Sequence, residues 1–211
     1  LLRLNLLPAR RNRGSCFLDS PSERYEDSFL EGAGEFHQEG RLDSTYAEFL
    51  SYDLRRLQRQ FGAFVRDLRE LGKSKGRKNG YRDCVFWLID DGHYIGQTSI
   101  RAELGTAYLM TYGGHIGYSI RPSRRRMGYG ELILALGLEK CPAMALTQVL
   151  VTCDSDNLAS KKIIERNGGR FESAMDMDAD ILRAEGRGAD KPAQKLRYWI
   201  DPPSESGRQT R

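Results

Sequence analysis

Residues 113–138 hand a strand to a helix through a basic, glycine-bearing turn. GGHIGYSI reads as a strand closed by Pro122, RRRMGYG follows, and ELILALGL opens an apolar helix. A strand that feeds a helix this directly constrains the chain to an α/β arrangement, with the helix laid back on a sheet. The turn also sets Arg124, Arg125 and Arg126 at the mouth of that helix. A helix start exposes unpaired N–H groups carrying about half a positive charge. Either the three arginines are solvated there, or the turn holds an anion.

Sequence on either side of this unit supplies more strands and helices. SPSE at 20–23 has the form of a capping box with proline at the first helical position, and predicts a helix to about Gln38. Tyr46, Phe49, Leu50, Leu54, Leu57 and Phe61 recur at helical spacing, and Phe64, Val65, Leu68 and Leu71 continue the pattern past Gly62. KSKGRKNG then reads as a loop. CVFWLID, the hairpin signal Asp91-Gly92 and HYIGQTSIRAEL form a strand pair. TQVLVTC is a buried strand, Asp156 or Asn157 opens a helix ended by Gly168, and two strands near 171–174 and 195–200 close the sheet. The glycine pairs around the 113–120 strand predict a bulge or a close backbone approach.

The predicted fold is α/β: a mixed, mostly antiparallel sheet of six or seven strands flanked by helices. Residues 15–200 form one domain. Residues 1–14 are an Arg-rich extension and 201–211 a disordered tail, with an exposed charged excursion near 175–192.

Composition excludes several function classes. The 211 residues carry a net charge of only +4, so a bulk electrostatic nucleic-acid binder is not indicated. No apolar run reaches the roughly 18–20 residues of a membrane span. Four cysteines without C-x-x-C spacing and three histidines argue against a metal site or a disulfide framework, and point to a reducing, cytoplasmic setting.

Two known phosphate loops fail on the residues. No G-x-x-x-x-G-K-[ST] string occurs, and the third glycine of a dinucleotide fingerprint would stand at Ile133. IRPSRRRMGYG instead resembles the acetyl-CoA signature of the GNAT superfamily of N-acetyltransferases, Gln/Arg-x-x-Gly-x-Gly/Ala, which falls on Arg125, Gly128 and Gly130. VLVTCDSDNLASKKIIERNGG is similar to that family's next strand and helix. GGHIGYSIRPS with VTCD-x-DN-x-AS looks like a bacterial branch of it.

The resemblance implies acetyl-CoA as co-substrate and a primary amine as acceptor, on a small molecule or a peptide. It implies that the fourth strand splays from the fifth, with the pantetheine arm in the gap beside backbone groups of Ser119 and Ile120 and the Ile120 N–H on the thioester carbonyl. Arg125, Arg126, Met127, Gly128, Tyr129 and Gly130 would wrap the pyrophosphate, and Asn157 and Ser160 would touch pantetheine. His115 is the first candidate general base and Glu103 the second. Ile164 stands where many relatives carry a tyrosine that protonates the leaving thiolate, with Tyr118 a substitute donor. Cys153 reads as a small buried residue rather than a nucleophile. A catalytically weak acetyl-CoA sensor or interaction module is the alternative reading. A homodimer is compatible with the sequence, and no motif encodes it.

Overall fold

The computed structural model describes residues 16–73, 81–178, 180 and 194–204. The N-terminal extension, most of the KSKGRKNG loop, most of the charged excursion and the end of the tail lie outside them.

Among the described residues, seven strands form two antiparallel sheets that meet at one bridge. The first has the order β1 (Phe17–Asp19), β2 (Cys84–Asp90), β3 (His93–Ile100), β4 (Ile116–Ile120). The second has the order β5 (Val149–Asp154), β7 (Gln194–Ile200), β6 (Arg170–Asp176). Every ladder within each sheet is antiparallel. Asp91 and Gly92 both take positive φ in the β2–β3 turn, the conformation that tight hairpins require.

Helices α1 (Glu26–Gln38), α2 (Leu54–Arg59) and α3 (Phe61–Glu70) cover one face of the first sheet. Phe29 stacks on Trp87 with ring centroids 4.6 Å apart, and Phe61, Phe64 and Tyr94 pack around that pair. Helix α4 (Tyr129–Leu138) lies on the other face, burying Ile133, Leu134 and Leu138, and α5 (Leu158–Arg166) packs against α4 and β5. Burying some ten large side chains of this kind is the main drive to fold, each contributing about 1.5–3 kcal/mol.

Two helical expectations are corrected. The SPSE capping box with Ser20 as N-cap does not form: Ser20 and Pro21 lie before the helix, the N-cap is Ser22 without a side-chain bond, the first turn is a short 3-10 segment at Glu23–Tyr25, and α1 starts at Glu26. Pro21 instead gives its carbonyl to Arg69 Nε at 2.6 Å, which ties this turn to α3. The second helical region is interrupted. Tyr46 and Ser51 adopt left-handed φ, and α2 restarts where the Asp53 carboxylate accepts the Arg56 N–H at 2.6 Å. Apolar spacing registered a continuous buried stripe there, and the local Asp53 cap outweighed it.

Candidate active site

Strands β4 and β5 meet at one place. Gly114 bridges Val151, the His115 N–H donates to the Leu150 carbonyl at 2.8 Å, and the Leu150 N–H donates back to His115 Nδ1 at 2.9 Å. Gly114 has φ +76°, and a β-carbon on it would stand 2.6 Å from the Leu150 oxygen. This is the predicted close backbone approach. Beyond it, no ladder joins β4 to β5 among the described residues.

The β3–β4 register determines what faces that opening. Arg101 N–H donates to His115 O and Arg121 N–H to Ile95 O. Antiparallel alternation therefore turns the N–H groups of Tyr118 and Ile120 away from β3, toward the unpaired side. The Ile120 carbonyl, pointing the same way, accepts Arg125 Nε at 3.1 Å. The Tyr118 ring reaches across to α5, where its hydroxyl and Ser160 Oγ lie 2.7 Å apart. Burial raises the Tyr118 pKa, so the phenol keeps its proton.

The opening leads along β4 to the turn before α4. Among the described residues, the amides of Arg126, Gly128, Gly130 and Glu131 have no backbone partner; the first helical bond there is Leu132 N–H to Gly128 O. Arg126 (φ +59°) and Gly128 (φ +83°) are left-handed, which gathers successive N–H groups into a concavity suited to an anion. Met127 is exposed at its rim. Tyr129 points inward instead, its hydroxyl donating to Asp90 Oδ2 at 2.5 Å.

Two members of the predicted cradle also make contacts with neighbouring helices. The Arg125 guanidinium is engaged by α1, with Nη1 and Nη2 donating to Glu39 Oε1 and Oε2 at 2.8 Å each. Gly130 is small because α5 is close: a β-carbon would stand 2.5 Å from Ile163 Cδ1. Arg121, 5% exposed, belongs to the same clamp as Arg125. It binds Glu35 at 2.5 Å and Glu31 at 3.3 Å, while Ser123 N–H donates to Glu35 Oε2 at 2.9 Å. Burial alone would raise the Glu35 pKa, but the Arg121 and Ser123 bonds hold it below the ordinary carboxylate range. Sequence reasoning missed this clamp. Its signal was the four-residue repeat Glu31, Glu35, Glu39 on one face of α1.

Asn157 is the N-cap of α5, its Oδ1 accepting the Ser160 N–H at 3.0 Å. Glu103 is exposed in the loop after β3. His115 is buried, and its Nδ1 is occupied by the Leu150 N–H. Burial holds its pKa below the usual histidine value. Ile164 is fully buried. Burial also pushes the Cys153 thiol up to about 11, which keeps it protonated and unreactive.

On the other face of β3 and β4 a cavity of about 170 Å³ opens under the 3-10 segment Leu42–Thr45. Gln97 and Ser99 of β3 line it, with Arg101 just after the strand and Ser44, Tyr46 and Ser119; Arg41 and Asp43 also contribute. Ser119 Oγ donates to the Ser44 carbonyl at 2.9 Å, so its side chain serves this cavity and not the opening.

The family model of the acetyltransferase (GNAT) domain matches residues 37–170, more than half of the chain. The chain belongs to the GNAT acetyltransferase family. Among curated proteins none matches. Solved structures share the fold at low identity. RimL, a ribosomal alpha-N-protein acetyltransferase solved with coenzyme A, is 16% identical with a TM-score of 0.60, covering 89% of this chain and 94% of its own. RimJ of Mycobacterium smegmatis, solved with CoA-disulfide, is 18% identical with a TM-score of 0.56, covering 93% and 88%. The microcin self-immunity acetyltransferase MccE, solved with acetyl-CoA and AMP, is 10% identical with a TM-score of 0.56, covering 89% and 93%. At such identities the likeness establishes the fold. For this GNAT chain it agrees with the two motifs read at Arg125–Gly130 and Asn157–Gly168.

Proposed function

We propose that this GNAT acetyltransferase uses acetyl-CoA to acetylate a primary amine, on a small molecule or a peptide, by direct attack in a ternary complex. One observation carries the reading: the unpaired side of β4 is continuous with the partnerless amides at the start of α4. The residues present fit the co-substrate. The amides of Arg126, Gly128, Gly130 and Glu131 would receive the diphosphate, with Arg126 adding charge. Asn157 and the Tyr118–Ser160 hydroxyl pair would flank the pantetheine arm.

The acetyl thioester supplies the activated carbonyl; the protein supplies placement and electrostatics. Ile120 N–H, fixed by the β3–β4 register, is the donor for the carbonyl oxygen as negative charge builds there. The amine must arrive neutral. A lysine-like amine costs about 4–5 kcal/mol to deprotonate at neutral pH, and an α-amine about 1–1.5 kcal/mol. His115 Nδ1 is committed to the seam and Glu103 is solvent-facing, so neither is poised as a strong base. That favours an acceptor of low amine pKa. With Ile164 buried and inert, the Tyr118 O–H, paired with Ser160 Oγ, would be the donor toward the departing sulfur.

Four free cysteines accord with a cytoplasmic setting. The second reading, a sensor that binds acetyl-CoA without turnover, draws on Ile164 and on the absence of a free base at His115. Release of free thiol from acetyl-CoA across an amine panel decides between the two. Gly128→Asp should abolish acetyl-CoA binding by calorimetry while the fold persists; unchanged affinity in that variant refutes the cradle.

A further inference from the structure

One carboxylate of α1 fastens the turn that leads into α4. Glu35 Oε1 accepts Arg121 Nε at 3.0 Å, Arg121 Nη2 at 2.5 Å and Ser123 Oγ at 2.8 Å, and Oε2 accepts the Ser123 N–H at 2.9 Å. All of these partners are donors, so both oxygens must accept. Arg121 is used as fully. Its Nη1 donates to the Ser28 and Tyr94 carbonyls at 3.3 Å each, and Nη2 also reaches Glu31 at 3.3 Å, so each of its N–H groups has an acceptor. The three acids of α1 are unequal. The Glu31 side chain is 66% exposed and that of Glu39 36%, against 22% for Glu35. The helix beneath them is a fixed platform. Phe29, Ala33 and Phe36 are buried, and a β-carbon on Gly32 would stand 3.1 Å from the Tyr94 ring.

What Glu35 holds is the start of an improbable backbone path. Arg121 directly follows Ile120, and Ser123 sits in the 3-10 turn Pro122–Arg124. The chain then passes through left-handed Arg126 and Gly128 before α4 begins. A non-glycine residue in that conformation persists only where its surroundings hold it there. The tie from Ser123 to α1 is such a hold, three residues upstream of Arg126. Charge alone would make Glu35 a poor choice for this place. A carboxylate close to a diphosphate repels it, and the Arg121 charge only offsets that repulsion. Positioning and repulsion therefore act on binding with opposite signs.

Resting on the reading of the amides of 126–131 as the diphosphate cradle, we infer that Glu35 is a positioning residue for acetyl-CoA, presetting the turn so that those amides converge before the co-substrate arrives. It acts through Ser123 and Arg121 and does not touch the ligand. Glutamine cannot replace it. The shape is kept, but one acceptor oxygen becomes a donor NH2 that must face either the Ser123 N–H or the Arg121 and Ser123 side chains. The pantetheine side of the site is held separately, because the β3 ladder fixes Ile120 opposite Gly96.

Two ligands test this on the full chain, each measured below the unfolding transition of the variant concerned: CoA by calorimetry, and pantetheine, which has no diphosphate, by NMR titration. Glu35→Gln should weaken CoA about tenfold and leave pantetheine within about twofold of wild type. Ser123→Ala removes one of the turn's two bonds to Glu35 and keeps the Arg121 pair, so it should weaken CoA about threefold with the same selectivity. It decides the matter if Glu35→Gln does not fold. Tighter CoA binding in Glu35→Gln, the mark of plain repulsion, overturns the inference. So does an equal loss for CoA and pantetheine, the mark of general loosening. If both variants bind CoA as wild type does while Gly128→Asp abolishes binding, the cradle stands and the positioning role falls. If Gly128→Asp binds CoA normally, the cradle reading falls and takes the inference with it.

Discussion

The two ends of β4 meet β5 in opposite ways. At His115 the strands are pinned: a backbone bridge at Gly114, a backbone bond from His115 to Leu150, and a return bond in which an imidazole nitrogen stands where a carbonyl would otherwise be. At Ile120, among the described residues, nothing of the second sheet pairs with the strand, and its outward N–H is left for another acceptor. The pinned end consumes its polar groups internally. The open end saves them. A sheet can be parted without fraying because a side chain closes the ladder at the point where the backbone stops doing so.

The pinned end should be the more sensitive to substitution. Gly114→Ala places a methyl 2.6 Å from the Leu150 oxygen and forces a non-glycine residue to φ +76°. Strain and overpacking together should destabilise the protein by about 2–4 kcal/mol, read from denaturant unfolding. A cost under about 1 kcal/mol would mean the seam is looser than these distances describe.

His115→Ala should cost somewhat less, about 1–3 kcal/mol, by leaving the buried Leu150 N–H without an acceptor. This site also carries a pH signature. Burial depresses the folded-state pKa of His115 below its unfolded value of 6.5. The unfolded chain therefore takes up the proton first on acidification. Stability is full above that value and is lost as pH falls through the folded pKa, with a limiting slope of about 1.4 kcal/mol per pH unit. Glu35 and Asp19, whose folded pKa values are also lowered, lose stability only in more acid solution. Unfolding followed between about pH 7 and pH 5 should thus slope in wild type and flatten in His115→Ala. An unchanged slope would assign it to another group.

How much of this could be read beforehand follows from the range of each interaction. The β2–β3 hairpin, β5, α4 and α5 were legible because their signals sit within a dozen residues: alternation, Asp91-Gly92, the Asn157 cap and Gly168. The close approach at 113–114 was legible from its glycines. The parting of the sheet was legible only through the family resemblance, because the contact that ends the pairing, His115 with Leu150, spans 35 residues. The acidic clamp showed only its Glu31, Glu35, Glu39 repeat, and its partner could not be read because Glu35 and Arg121 are 86 residues apart. The basic turn looked uniform in sequence because side-chain direction there is decided by α1, a distant partner.

That turn permits the smallest and sharpest comparison at the open end. Arg125 and Arg126 are neighbours with equal charge; Arg125 is paired with Glu39, and Arg126 takes a left-handed φ within the turn. The Arg125–Glu39 pair is more than one-third exposed on both sides, so Arg125→Ala should cost only about 0.2–1 kcal/mol in stability. Because its guanidinium faces α1, acetyl-CoA affinity should fall less than about threefold. Arg126→Ala removes a charge from the cradle itself and should weaken binding more, by about three- to tenfold, with a shallower salt dependence. Calorimetry at two ionic strengths checks both. A reversed order, with Arg125 the larger loss, would mean that Arg125 releases Glu39 when the co-substrate binds. The α1 acids would then act as a place-holder for the diphosphate instead of a clamp on the turn.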